Sequence, residues 1–225
     1  MPVLVVPTDV PSASIKLEPN MVAALMERRH IRLLIVCNDK IGRCVAARLS
    51  EAPGLLIAVD LTPRPARVLR LLRRGSLSLL LLAKMVLAEA LRPDTQVRFR
   101  HQVRGIDSLR SMIDSQSIEE IYLFRAGLII NRDLLGSGVP FFNCHCARLD
   151  GFGGLGAIDR ALRKGELRQA ATLHRVTETI DSGEIIALEP YWLDPQQTYR
   201  ANEDIAYNAG IQLLSRILLQ ADAPT

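Results

Sequence analysis

Asn143 and His145 stand two residues apart in the segment Asn143-Cys144-His145-Cys146 at the end of an apolar run. Residues two apart in an extended segment project to one side, so an amide and an imidazole share a face. That pair can donate two hydrogen bonds to an oxygen on which negative charge develops, given a protonated ring. A carboxylate follows downstream in Thr177-Glu178-Thr179-Ile180-Asp181-Ser182-Gly183, just ahead of a Ser-Gly turn. Within reach of His145, Asp181 would raise the imidazole pKa and orient the ring. Amide, imidazole and carboxylate together can stabilise a developing oxyanion and move a proton. Spacing alone also permits a loop histidine with a capping asparagine and a turn-forming aspartate.

Three other patterns carry less. Gly151-Phe152-Gly153-Gly154-Leu155-Gly156 satisfies G-x-G-x-x-G, but a dinucleotide loop turns directly from strand into helix, and here NCHCARLD intervenes after the preceding strand. Cys144-His145-Cys146 puts its thiols opposite the imidazole, and no further Cys/His cluster completes a ligand set, so no metal is expected. Arg64, Arg67, Arg70, Arg73 and Arg74 recur at near-helical spacing among apolar Val68, Leu69, Leu71 and Leu72. They read as a solvated amphipathic face or as a landing site for a phosphorylated substrate.

The elements that must position these residues alternate. Apolar runs at 31–37, 55–61, 118–124, 139–143, 169–176 and 184–193 predict strands. Helical periodicity follows the first run and recurs over 63–91 with a break at Gly75, over 108–116 with Asp107 as its cap, over 157–164 and over 199–220. Residues 77–91 are too short and too charged for a membrane span and predict a core helix. The fold class is therefore α/β, an open, mostly parallel Rossmann-like sheet with helices on both faces. Ligands of such sheets bind outside the carboxyl ends of the strands, which directs attention to the loops after residues 37, 61, 124, 142 and 176.

Two hundred and twenty-five residues suffice for one such domain over 31–225, with residues 1–30 as an N-terminal extension of no evident organisation. Four lysines leave 24 arginines among the 28 basic residues, against 24 acidic ones. Arginine suits carboxylates and phosphates, but the few aromatics argue against nucleic acid as a partner. The four cysteines have neither zinc-site spacing nor scaffold density, and the proline-interrupted N-terminus is a poor signal peptide. The expected setting is the cytoplasm, with no membrane partner; a homo-oligomer is compatible with the sequence.

Asn143-x-His145, then Leu149, Phe152 and Gly154, then Leu173-His174-Arg175-Val176-Thr177-Glu178-x-x-Asp181-x-Gly183-x-Ile185 resemble the signature of folate-dependent formyltransferases. The family pattern is N-x-H-P-S-L-L-P, an aromatic and a glycine, and later H-x-x-x-x-x-x-D-x-G. Residues 125–130 are similar to the loop lining the family's pterin pocket. The resemblance implies a formyltransferase-type sheet and transfer of a formyl group from 10-formyltetrahydrofolate, as donor, to an amine. It implies that Asn143 and His145 stabilise the oxyanion and that Asp181 holds the histidine and helps move the amine's proton. It also implies that the backbone at Arg125, Ala126, Gly127, Leu128, Ile129 and Ile130, and at Thr177, Glu178 and Ile180, holds the pterin.

The chain departs from the pattern at Cys146, Ala147 and Asp150, where Pro-Ser and a later Pro are usual, and at Gly153, where arginine is frequent. The glycine-serine phosphate loop of the purine-pathway member is absent after the first strand, and no second domain like that of the initiator-tRNA-formylating member is expected. The expected acceptor is then a small-molecule amine, with a nucleotide-linked amino sugar first. A hydrolase releasing the formyl group to water and a non-catalytic folate- or nucleotide-binding module are the alternatives.

Overall fold

The computed structural model describes residues 30–62, 72–73, 77–149 and 154–220. The first of the two helices expected between Pro63 and Leu91 therefore lies largely outside the described residues, as do most of the arginine stripe, the first half of the G-x-G-x-x-G segment and the N-terminal extension.

The described elements are β1 (Arg32–Cys37), α1 (Lys40–Arg48), β2 (Leu55–Asp60), α2 (Leu79–Leu91), β3 (His101–Val103) and α3 (Ile106–Gln116). They continue with β4 (Glu120–Phe124), α4 (Arg132–Leu135), β5 (Phe141–His145), α5 (Ala157–Lys164), β6 (Arg168–Arg175), β7 (Ile185–Trp192) and α6 (Tyr199–Gln220). One seven-stranded sheet has the order β3-β2-β1-β4-β5-β6-β7. Pairings from β3 to β5 are parallel, and β6 and β7 are added antiparallel. The sheet is thus mostly parallel, as the apolar runs predict.

Strand β1 is buried along its whole length, and its alternation divides the core. Leu34 and Val36 face a cluster built with α1, α5 and α6, whereas Leu33 and Ile35 face one built with α3 and the segment around Leu128 and Leu134. Both faces are covered, which is why the strand reads as a continuous apolar run.

Several expectations are corrected. The fifth strand runs from Phe141 to His145, so Asn143 and His145 lie within it and not in the loop beyond. Helix α3 starts two residues early, with Gly105 at its N-cap. Asp107 lies in the first turn, and the Ser108 hydroxyl satisfies the entry by accepting from the Arg104 and Gly105 amides. β3 and α4 are too short for periodicity to detect. α2 is not a core helix: Leu81 and Ala88 are buried, but Leu79, Leu80, Val86, Leu87 and Leu91 are exposed by 58 to 74%. A helix packed along one side buries one stripe, and hydrophobicity on the opposite side cannot follow it inward.

Candidate functional site

β5 is the middle of the site. It pairs parallel with β4 and antiparallel with β6, so its carboxyl end sits between the loop after β4 and the loop after β6. Asn143 and His145 are half-buried while Phe141, Phe142 and Cys144 are buried, the alternation that puts the amide and the imidazole on one side. Asn143, His145 and Asp181 line a single cavity of about 230 Å³, together with Arg125, Ala126 and Gly127 from the β4 loop and Ile180 from the β6 loop. The three residues expected to do chemistry are therefore brought together.

His174, which the motif contains but to which spacing gives no role, orders this arrangement. It is the register partner of Asn143, at a shift in the β6–β7 ladder between Leu173 and His174. The Asn143 Nδ2 atom lies 3.2 Å from His174 Nε2, and His174 Nδ1 lies 3.0 Å from the Arg175 carbonyl oxygen. A carbonyl only accepts, so Nδ1 carries the proton; Nε2 then accepts from the amide. His174 is 2% exposed, so this pair is shielded from water. Asp181 Oδ1 stands 3.7 Å from the same Nε2, so the carboxylate, expected beside His145, stands beside the ring of His174. His145 and Asp181 both line the cavity.

Asp181 is held by a stapled loop. Its backbone is left-handed, with φ of 54°. Thr177 and Ser182 hydroxyls both donate to the Thr179 carbonyl, at 3.0 and 2.9 Å. A Cβ on Gly183 would stand 1.8 Å from the Arg175 carbonyl oxygen, so only glycine closes this turn against β6.

The residues expected to hold a pterin separate into two groups. Arg125, Ala126, Gly127 and Ile180 line the cavity. Leu128 is buried in the α3-side core with Ile130 packed against it, and Ile129 is exposed. The Thr177 hydroxyl is spent on its own loop, and Glu178 pairs at the surface with Arg132 at 3.1 Å. Buried Asp60, at the end of β2, sets the β4 loop: its Oδ2 accepts from the Gly127 and Leu128 amides at 2.5 and 3.2 Å and its Oδ1 from the Thr62 amide at 2.8 Å. Those two amides are thus committed within the protein.

Helix α6 supplies the wall that sequence reasoning missed. Tyr199, Glu203 and Tyr207 line the cavity from one helix face, and their spacing of four is the signal that could have found them. Glu203 accepts from both tyrosine hydroxyls, at 2.8 and 3.0 Å, and from Arg92 Nη2 at 2.7 Å. Arg92 also binds Asp204 at 2.7 Å. Burial raises the Tyr207 pKa; the nearby Arg125 works against that rise, and the Glu203 carboxylate under its hydroxyl adds to it. Arg125 lies over the Tyr207 ring at 4.2 Å, adopts a left-handed backbone with φ of 56°, and pairs with Asp39 at 2.7 Å. Among the described residues no group of three or more His, Cys, Asp or Glu could hold a metal ion, and no helix is long and apolar enough to cross a membrane.

This geometry has relatives. Residues 88–218 match the family model described as formyl transferase. A methionyl-tRNA formyltransferase from Coprothermobacter proteolyticus is 27% identical over 107 residues, which cover 47% of this chain and only 35% of that protein's length. Among solved structures, a phosphoribosylglycinamide formyltransferase from Anaplasma phagocytophilum superposes with a TM-score of 0.58 at 17% identity, covering 84% of each chain. A sugar N-formyltransferase from Shewanella superposes with a TM-score of 0.55 at 13% identity, covering 85% of this chain and 70% of that one.

Proposed function

The chain belongs to the formyl transferase family, and on that premise we propose that it moves a formyl group from 10-formyltetrahydrofolate to the primary amine of a small metabolite, with a nucleotide-linked amino sugar as the first candidate. The observation that carries this reading is the convergence of Asn143, His145 and Asp181 on one cavity beside Ala126–Gly127. An amide donor, an imidazole and a carboxylate around one small volume support acyl transfer to nitrogen.

The donor supplies a formyl group activated as an amide of a weakly basic nitrogen. Ala126, Gly127 and Ile180 would hold its ring, and Asn143 and His145 would donate to the formyl oxygen as it gains negative charge. Asp181 would take the proton that the amine nitrogen sheds as it bonds to the formyl carbon; a proton returns to the folate nitrogen as its bond to that carbon breaks. His174 acts on this set from outside, by holding the Asn143 amide.

The test is to incubate the protein with 10-formyltetrahydrofolate, alone and with a panel of amino sugars and other primary amines, and to follow tetrahydrofolate release. Release that depends on an amine is expected. Release without any amine would make the chain a hydrolase, and binding without release would make it a folate-binding module.

A further inference from the structure

The strand order places the reversal of the sheet between β1 and β4, whose following connections leave towards opposite faces. In doubly wound sheets that crevice, backed by a helix N-terminus, is where anionic ligands are held. Here it is built otherwise. Only Asn38 and Asp39 separate β1 from α1, and a Cβ on Gly42 would lie 1.9 Å from the Cys37 carbonyl oxygen, so the turn is tight and places Asp39 directly at the crevice.

The α1 N-terminus is already occupied by a carboxylate. Asp39 Oδ1 accepts from the Gly42 amide at 2.8 Å, and Oδ2 receives Arg125 Nη2 and Nε from across the crevice at 2.7 and 3.2 Å. Among the described residues, the nearby cations Lys40, Arg43 and Arg92 are committed as well. Lys40 at the head of α1 donates its ammonium to the Ala90 and Arg92 carbonyls at 2.8 and 2.6 Å. Arg43 pairs with Asp94 at 2.7 Å, and Arg92 with Glu203 and Asp204. The adjoining cavity is lined by two further carboxylates, Asp181 and Glu203. A phosphate entering here would meet a fixed negative charge at contact distance and would have to break a half-buried ion pair.

We infer that Asp39 is a specificity-determining residue that closes the β1–β4 crevice to phosphate, so that the acceptor is an amine carrying no phosphate at the end that enters this crevice. The inference rests on reading the chain as an amine formyltransferase. It sets the acceptor apart from phosphoribosylglycinamide, whose phosphate would have to be held elsewhere, and it leaves room for amines whose phosphates lie far from the reacting nitrogen.

The experiment reads phosphate binding without donor or turnover, by 31P NMR titration of the full chain with inorganic phosphate and with ribose 5-phosphate. The wild type is expected to show no saturable binding. Asp39→Ser keeps a capping hydroxyl, removes the carboxylate and releases Arg125, and is expected to show saturable phosphate binding about tenfold or more tighter than the weakest affinity the titration can detect. Asp39→Ser combined with Arg125→Gln is expected to lose that gain. Saturable wild-type binding that Asp39→Ser leaves unchanged overturns the inference, and so does a folded Asp39→Ser that still fails to bind. If that variant does not fold by circular dichroism, Asp39→Asn, which keeps the shape and the capping oxygen, is titrated against the same expectations. Failure of the formyl-transfer assay would leave this titration standing, so the two readings fail separately.

Discussion

Asn143 and His174 face each other across the antiparallel β5–β6 pair, with the amide nitrogen 3.2 Å from Nε2 and the far side of the ring fixed on the Arg175 carbonyl oxygen. The strand ladder thus sets the histidine, the histidine sets its own tautomer, and the tautomer turns the amide. His174→Phe keeps the ring's shape and removes the acceptor. It is expected to lower kcat by about tenfold, the worth of one oriented hydrogen bond, with little change in the KM for the donor. Steady-state kinetics check this, and an unchanged kcat would remove His174 from the positioning role.

His145→Ala and Asp181→Asn are each expected to lower turnover by about two to four orders of magnitude while leaving the far-ultraviolet circular dichroism unaltered. Near-normal turnover in either variant would sink the assignment of the residue concerned.

Gly183→Ala sets a methyl group where the Arg175 carbonyl oxygen already stands, at 1.8 Å, so the 177–183 loop must shift and carry Asp181 with it. Activity is expected to fall by about tenfold or more, because misplacing a catalytic group by about 1 Å is costly. Thr177→Val, which loses only one staple, should cost less, and the ratio of the two kcat/KM values tests the loop's part.

Arg92→Leu leaves Glu203, 3% exposed, facing the tyrosine hydroxyls without its cation. Breaking a buried pair from one side is expected to destabilise the fold by about 3–5 kcal/mol. Urea unfolding at neutral pH measures the loss, and a change below about 1 kcal/mol would mean that Glu203 is solvated or protonated in the variant.

Burial pushes the Asp39 carboxyl up, but the Arg125 guanidinium, the Cys37 thiol and the Gly42 amide together outweigh it and hold the group below its ordinary value of 3.8. A depressed carboxyl pKa contributes stability that is complete above the unfolded value and is lost as pH falls through the folded one. The stability difference between wild type and Asp39→Asn is therefore expected to be flat near neutrality and to shrink below about pH 4. A difference that grew on acidification would mean that the sign of the shift is wrong.

Much of the architecture was legible in the chain because buried parallel strands must be continuously apolar. The six residues of β1 carry that signal without help from neighbours, and the extents of α5 and α6 were legible from helical patterning. The antiparallel pairing of β6 with β5 and of β7 with β6 was not legible, since an apolar run reads the same in either direction. The outward face of α2 was not legible either, because composition records how hydrophobic a helix is and not whether anything packs against it.

At the site, residue types and the two-residue spacing of Asn143 and His145 determined which groups share a face, since alternation along a strand is local geometry. Tertiary structure alone decided which imidazole stands 3.7 Å from Asp181, that Glu203 and its two tyrosines wall the cavity, and that Asp39 and Arg125 meet across the sheet's reversal. Each of these joins segments distant in sequence through strand order and register, and no local pattern encodes the distance between two loops that the sheet brings together.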